Sequence, residues 1–453
     1  MRKSVINFIL SFAAALVITI LLKEPGFTDS QTYVVFLVLF AIGLWATEAI
    51  PAYAVSLFIM AYLVFALGNK HFNSAPENID RYVQTFSDHI IWLLLGGFFL
   101  ARAMAKTNLD ESLIRFTLKT AGSNPRNIFI GLMATTMFAS MLISNTASTT
   151  MVLAAIFPLL KSLGKKSNLA KALLLGIPVA ATTGGMATII GTPANAIAAG
   201  MLENEGIKID FLSWMIYGLP IALVLTAVSC FALIKKYIKD SEPVSVAFLY
   251  NQESVTVKGS SLHRNIVVTV ILVTIGLWLT SSLHGLTSAS VCAVPLVVLT
   301  LTGVLDGKDI QKMGWDTLLL VAGGLSLGLA LEHTGLLNHY AELLISLKLN
   351  NTLLIYLFGI SAMLVATVMT NSTATTLMVP VCMSILTAFK LEAALIVSLS
   401  SSTALLLLAS SPSNAIVYNT GYIQQKDFRL TGILLGIIGP LIVILWVTGY
   451  QLI

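Results

Sequence analysis

Two clusters of hydroxyls and amides, ISNTAST at 143–149 and MTNSTATT at 369–376, interrupt long apolar runs, and so do two small-residue breaks, GTPANAI at 191–197 and SSPSNAI at 410–416. Pro193 and Pro412 cannot donate to a helical ladder, and the preceding Gly191, Thr192, Ser410 and Ser411 are small and polar. Each break therefore yields a helix N-terminus and free carbonyls within an apolar segment. Carbonyls and the oxygens of Ser, Thr and Asn are hard ligands for a small cation. Exposed N–H groups at helix starts favour an anion, by up to about 2 kcal/mol in partly buried geometry. One such cluster alone is ordinarily a helix cap or an interhelical hydrogen bonder. Four, paired in order along the chain, point instead to a site for a cation and an anion together.

The elements that carry these clusters are set by composition. Of 453 residues, 57% are hydrophobic and 10% charged, with mean hydropathy +0.89, against roughly 25% charged in a soluble domain. This is an all-α polytopic membrane protein. Its net charge of +5 sits in short loops between apolar runs, where it sets orientation, so nucleic acid is excluded as a partner. Full spans are expected near 4–22, 33–49, 52–68, 87–106, 170–200, 211–237, 264–283, 286–304, 314–333, 392–420 and 428–452, about 11 transmembrane helices by the length rule. The first begins with Arg2 and Lys3 like a signal peptide, but its apolar stretch is long and no small-x-small site precedes Lys23, which predicts a retained span. The stretches 126–162 and 351–388, each broken by a polar cluster, fit either two crossings or one re-entrant hairpin.

Loop charge orients the chain. With Arg2 and Lys3 inside and both broken stretches re-entrant, Lys and Arg fall on the cytoplasmic side by roughly three to one. The first broken stretch then opens from the cytoplasm and the second from outside, with the N-terminus inside and the C-terminus outside. The halves also resemble each other: LLLGGFFLARAMAKTNL (93–109) aligns with LVAGGLSLGLALEHTGL (320–336), pairing Gly96 and Gly97 with Gly323 and Gly324, and the polar clusters and the breaks follow in the same order. These landmarks predict an N-terminal span (1–32) and two inverted repeats (33–240 and 264–453) joined by a cytoplasmic linker (241–263). The repeats contain the hairpins 126–162 and 351–388 and the broken helices 170–200 and 392–420.

LWATEAIPAYAVSLFIM (44–60), the doubled Ser-Asn-Thr clusters and the GTPAN and SPSN breaks resemble the divalent anion/sodium symporter family over nearly the whole chain. The resemblance implies sodium-coupled transport of di- and tricarboxylates by a homodimer whose transport domains slide as elevators, with one sodium site in each repeat. Carried over by position, it implies a first sodium site of Ser140, Ser144 and Asn145 with the backbone near Gly191. The implied second site uses Thr367, Asn371 and Ser372 with the backbone near Ser410 and Pro412. Substrate is expected against Asn145, Thr146, Thr192, Pro193, Ser372, Thr373, Ser411 and Pro412. One departure is expected: the second tip reads Asn371-Ser372-Thr373, with Ser and Asn exchanged relative to the family pattern.

Energetics favour sodium coupling, since importing a dianion against an inside-negative potential costs about 4.6 kcal/mol per 100 mV, a term that two sodium ions cancel. No basic residue stands at either tip, so C4-dicarboxylates (succinate, malate, fumarate) and citrate are not separated. A sodium-independent exchanger and a symporter of another divalent anion such as sulfate remain open alternatives. A proton-coupled antiporter would place an ionisable residue at the breaks, and none is there. Enzyme chemistry is not expected: the six histidines fall in loops or near span ends, and Cys230, Cys292 and Cys382 lie in apolar segments. Sodium is the only metal ion called for. Arg102 is expected to snorkel to the cytoplasmic face, and Glu48 to cap or pair before Pro51.

Overall fold

In a computed structural model of the chain, residues 2–239, 243–244, 261–346, 349–408 and 410–450 are described; most of the expected linker lies outside them. The regular structure among the described residues is all helical, with no strand. Among the described residues, ten helices are long and apolar enough to cross a membrane. In hydrocarbon every backbone group must be bonded within the protein, so runs of Leu, Ile, Val, Ala and Phe fold as helices and polar breaks are confined to places where other protein groups meet them.

After α1 (Arg2–Leu22), the first series consists of α2 (Asp29–Thr47), α3 (Ala52–Gly68), α4 (His89–Lys106), α5 (Leu109–Ala121), the hairpin α6 (Pro125–Ser140) and α7 (Asn145–Leu163), the broken pair α8 (Asn168–Met186) and α9 (Pro193–Asn204), and α10 (Phe211–Leu233). The second repeats this order: α11 (Ser261–Leu279), α12 (Ser288–Leu301), α13 (Trp315–His333), α14 (Leu336–Ser346), the hairpin α15 (Asn351–Val368) and α16 (Asn371–Ile385), the broken pair α17 (Lys390–Ser401) and α18 (Pro412–Tyr418), and α19 (Arg429–Tyr450). Glu48 ends α2 in the left-handed region at φ 48°, where its own N–H reaches the carbonyls of Leu44 and Trp45.

Two packing groups result. The frame joins α1, α2, α3 and α13 on one side and α4, α11 and α12 on the other. The glycines paired in the sequence explain its closeness. A Cβ on Gly96 of α4 would lie 2.5 Å from Cys292 Sγ of α12, and one on Gly323 of α13 would lie 2.4 Å from Ser56 of α3. Each half thus lends its glycine helix to the other half's preceding span. The second group holds both hairpins and both broken helices with α10 and α19, and within it α9 packs on α16 while α18 packs on α7. The hairpin body is therefore closed by an exchange between halves, which brings both tips and both breaks to one place.

Candidate functional site

The hairpins correspond residue for residue. Asn124 caps α6 by accepting from the N–H of Arg126, and Asn350 caps α15 by accepting from that of Thr352. With no gap, the chains then reach Asn145 and Asn371, the first residues of α7 and α16. The residues before them, Ser144 and Thr370, are the N-caps, accepting from the N–H of Ala147 and of Thr373 respectively. The two tips therefore read Ser144-Asn145-Thr146 and Thr370-Asn371-Ser372. The expected exchange of Ser and Asn is corrected: the carboxamides occupy equivalent positions, and only the flanking hydroxyl residues trade Ser for Thr, which an N-cap accepts equally. Thr370 was missed because the match was sought by residue type and not by cap.

The breaks correspond as closely. Asn195, in the first turn of α9, donates to the carbonyls of Thr188 and Met186, 2.8 and 3.3 Å away; Asn414, in the first turn of α18, donates to those of Leu407 and Leu405, 3.3 and 3.0 Å away. Each carboxamide ties off the free carbonyls left where its helix stopped. Thr188 also bonds the Met141 carbonyl at 2.5 Å and accepts from the Gly191 N–H, fastening the first break to the first hairpin. Across the halves, Ser398 donates to Asn195 Oδ1 at 3.1 Å. Asn195 and Asn414 were visible in the repeated motif, but their bridging role needed the fold.

A single cavity of about 540 Å³ brings the four segments together. From the residues expected to act, Ser144, Asn145, Thr146, Gly191, Thr192, Pro193, Asn371, Ser372, Ser411 and Pro412 line it, together with Thr370. Thus the first residues of α7, α9, α16 and α18 all stand at its wall. Ser140 is buried behind the first tip and donates to Asn145 Oδ1 at 2.9 Å. Thr373 is turned back on Thr370 O, and Ser410 on Leu407 O. Thr367 bonds the Met363 carbonyl of its own helix at 2.9 Å, and the position equivalent to Ser140 is Ala366. Thr367 thus stands one residue from the position equivalent to Ser140, and among the described residues no hydrogen bond joins it to Asn371. Asn371 instead points its Nδ2 at Thr192 Oγ1 and Ser402 Oγ, 3.4 Å from each.

The cavity extends to Arg102, Lys312 and Asp316. Arg102 does not simply snorkel: its guanidinium bonds the buried carboxylate of Asp309 at 2.8 and 3.0 Å, and Lys106 joins both Asp309 and Asp306. Burial pushes the Asp309 carboxyl up, but hydrogen bonds from Lys106, the Asp306 backbone and Arg102 outweigh it and hold the group down at about 2. Within the described residues, no group of His, Cys, Asp and Glu is arranged to hold a metal ion.

Set against known proteins, residues 2–452 match the family described as "Sodium:sulfate symporter transmembrane region". A sodium-dependent dicarboxylate transporter, SdcS, of Staphylococcus saprophyticus is 28% identical, the alignment covering 95% of this chain and 88% of that one. Its namesake from Staphylococcus aureus (strain USA300) is 27% identical over 91% of this chain and 84% of its own. The solved YdaH transporter of Alcanivorax borkumensis, described as having an unusual topology, shares the fold at TM-score 0.55 and 12% identity, covering 88% of this chain and 98% of that one.

Proposed function

Because this chain belongs to the sodium:sulfate symporter family, we propose that it imports C4-dicarboxylates such as succinate, malate and fumarate, with citrate as a larger candidate, by sodium-coupled symport. The observation that carries this reading is the meeting of four helix starts, at Asn145, Pro193, Asn371 and Pro412, on one cavity. Aligned helix N-termini present N–H groups and positive dipole ends to an anion, in a site whose tips hold no basic side chain to bind it permanently. Asn145, Thr146, Thr192, Ser372 and Ser411 supply hydroxyls and amides around the substrate carboxylates, Pro193 and Pro412 start their helices, and Thr373 braces the second tip. Sodium is cargo here: Ser140, Ser144, Asn145 and the Gly191 carbonyl form its oxygen cradle. The names of the staphylococcal relatives support a dicarboxylate.

In this reading the hairpin body moves as an elevator against the frame, in a homodimer of the cytoplasmic membrane, with inverted halves, N-terminus inside and C-terminus outside. The cavity extends to Arg102 and Lys312, which loop charge assigns to the cytoplasm, and in this reading it opens inward. A second reading, sulfate as substrate, is favoured by the family description.

The test is labelled-succinate uptake into proteoliposomes under an inward sodium gradient, with equal potassium as control and with sulfate as competitor. Sodium-driven uptake into empty vesicles, unaffected by sulfate, is expected. Uptake that ignores sodium and requires internal succinate would make the protein an exchanger; loss of succinate uptake to sulfate at equal concentration would favour the second reading.

A further inference from the structure

The halves match so closely in their caps and in the bonds across their breaks that their differences in side chain can be read position by position. At the first tip, Ser140 donates to Asn145 Oδ1. A Cβ added to Gly185 would lie 2.2 Å from that oxygen and 3.1 Å from the Gly191 carbonyl. Gly185 thus leaves open the space on which those two oxygens converge. Ser148, one turn into α7, is fully buried and its hydroxyl has no partner among the described residues. Counted through the gapless hairpin and through the matched Asn195 and Asn414 bonds, the equivalents of Ser140, Ser148 and Gly185 are Ala366, Ala374 and Ala404. These three alanines are buried against one another. The second carboxamide is also turned the other way, its oxygen accepting from the Ser372 N–H at 2.9 Å while its Nδ2 faces Thr192 and Ser402.

We infer that the two halves are unequal toward cations: the first half binds the coupling sodium, with Ser148 as an additional ligand, and the second half binds none, its equivalent place being filled by Ala366, Ala374 and Ala404. A cation needs several oxygens in a space free of carbon, and a buried hydroxyl without a partner is destabilising until something meets it. The first half offers both features. The second half also has buried hydroxyls without a partner among the described residues, Ser400 and Ser413, but at the place equivalent to the Gly185 space it offers three methyl groups, which cannot ligate a cation, and a carboxamide that turns its N–H side away to hold the second tip against the first break.

This rests on the sodium-symport reading, and one set of measurements separates the two. Succinate uptake in proteoliposomes is measured against external sodium, at a pH where succinate is fully ionised, with and without an inside-negative potassium diffusion potential. Sodium-dependent uptake with a Hill coefficient of about one, slowed by the potential because one sodium leaves a dianion with net negative charge, is expected. Ser148→Ala raises half-saturating sodium by about tenfold, while its thermal midpoint without sodium is unchanged, since no bond is lost. Thr367→Ala leaves half-saturating sodium within about twofold. A Hill coefficient of about two with uptake indifferent to the potential, or a Thr367→Ala shift equal to that of Ser148→Ala, would overturn the inference and leave symport standing. Uptake independent of sodium would overturn symport and this inference together.

Discussion

The charged pairs inside the two packing groups differ from the histidine–glutamate contacts at the seam between them. Within the frame, Arg102 and Lys106 of α4 close on a carboxylate only 4% exposed, Asp309. Within the hairpin body, Lys390 at the start of α17 meets Glu205 beside the end of α9 at 2.6 Å, both about a quarter exposed. Across the seam His89 of α4 faces Glu203 of α9 at 3.4 Å, with side chains 69% and 35% exposed, and His339 of α14, which packs on α16, faces Glu24 at 3.1 Å, with side chains 33% and 48% exposed. Shielded pairs hold each group rigid, and the contacts between groups are ones that water competes for. In the proposed elevator motion the body slides against its frame, and a desolvated pair at the seam would add its full strength to that barrier.

The ordering can be broken or sharpened by removing each pair in turn. Arg102→Met leaves Asp309 buried with Lys106 as its remaining cation, and should cost about 2 to 3 kcal/mol, read as a fall in the thermal midpoint of purified protein. Acid should reach the same joint by protonation. The folded Asp309 carboxyl lies below its unfolded value of about 3.9, so its stabilisation is complete above about pH 4 and is lost as pH falls toward 2; a melting series should show an acid-side step that is absent in Asp309→Asn. Lys390→Met should cost about 1.5 kcal/mol within the hairpin body. Least of all, His89→Gln should change stability by under about 0.5 kcal/mol. If His89→Gln proved as costly as Arg102→Met, the distinction between joints and seam would be wrong.

Much of the architecture was legible because backbone geometry demands particular residues. Gly96 and Gly323 are fixed by the Cys292 and Ser56 atoms against them, and Pro193 and Pro412 by the start of a helix, so the repeat surfaced in the sequence. The four polar segments were legible for the same reason, and the cavity gathers them. What failed was register. Ser and Thr cap helices interchangeably, so matching Thr146 to Thr373 slid the second tip by one residue and chose Thr367 where the fold has Ala366. Alanines that fill a space leave no mark in a search for ligands. The Arg102–Asp309 pair escaped because its partners are distant in the chain and neither position is unusual by itself.

The exchange of glycine helices in the frame bears on how the protein is made. Synthesis delivers α3 and α4 to the bilayer before α13 and α12 exist, yet Gly323 must seat on Ser56 and Gly96 on Cys292. The first half therefore waits in the membrane with its tightest surfaces covered only by lipid. It cannot close its own frame, and neither half severed from the other should assemble until both have been inserted.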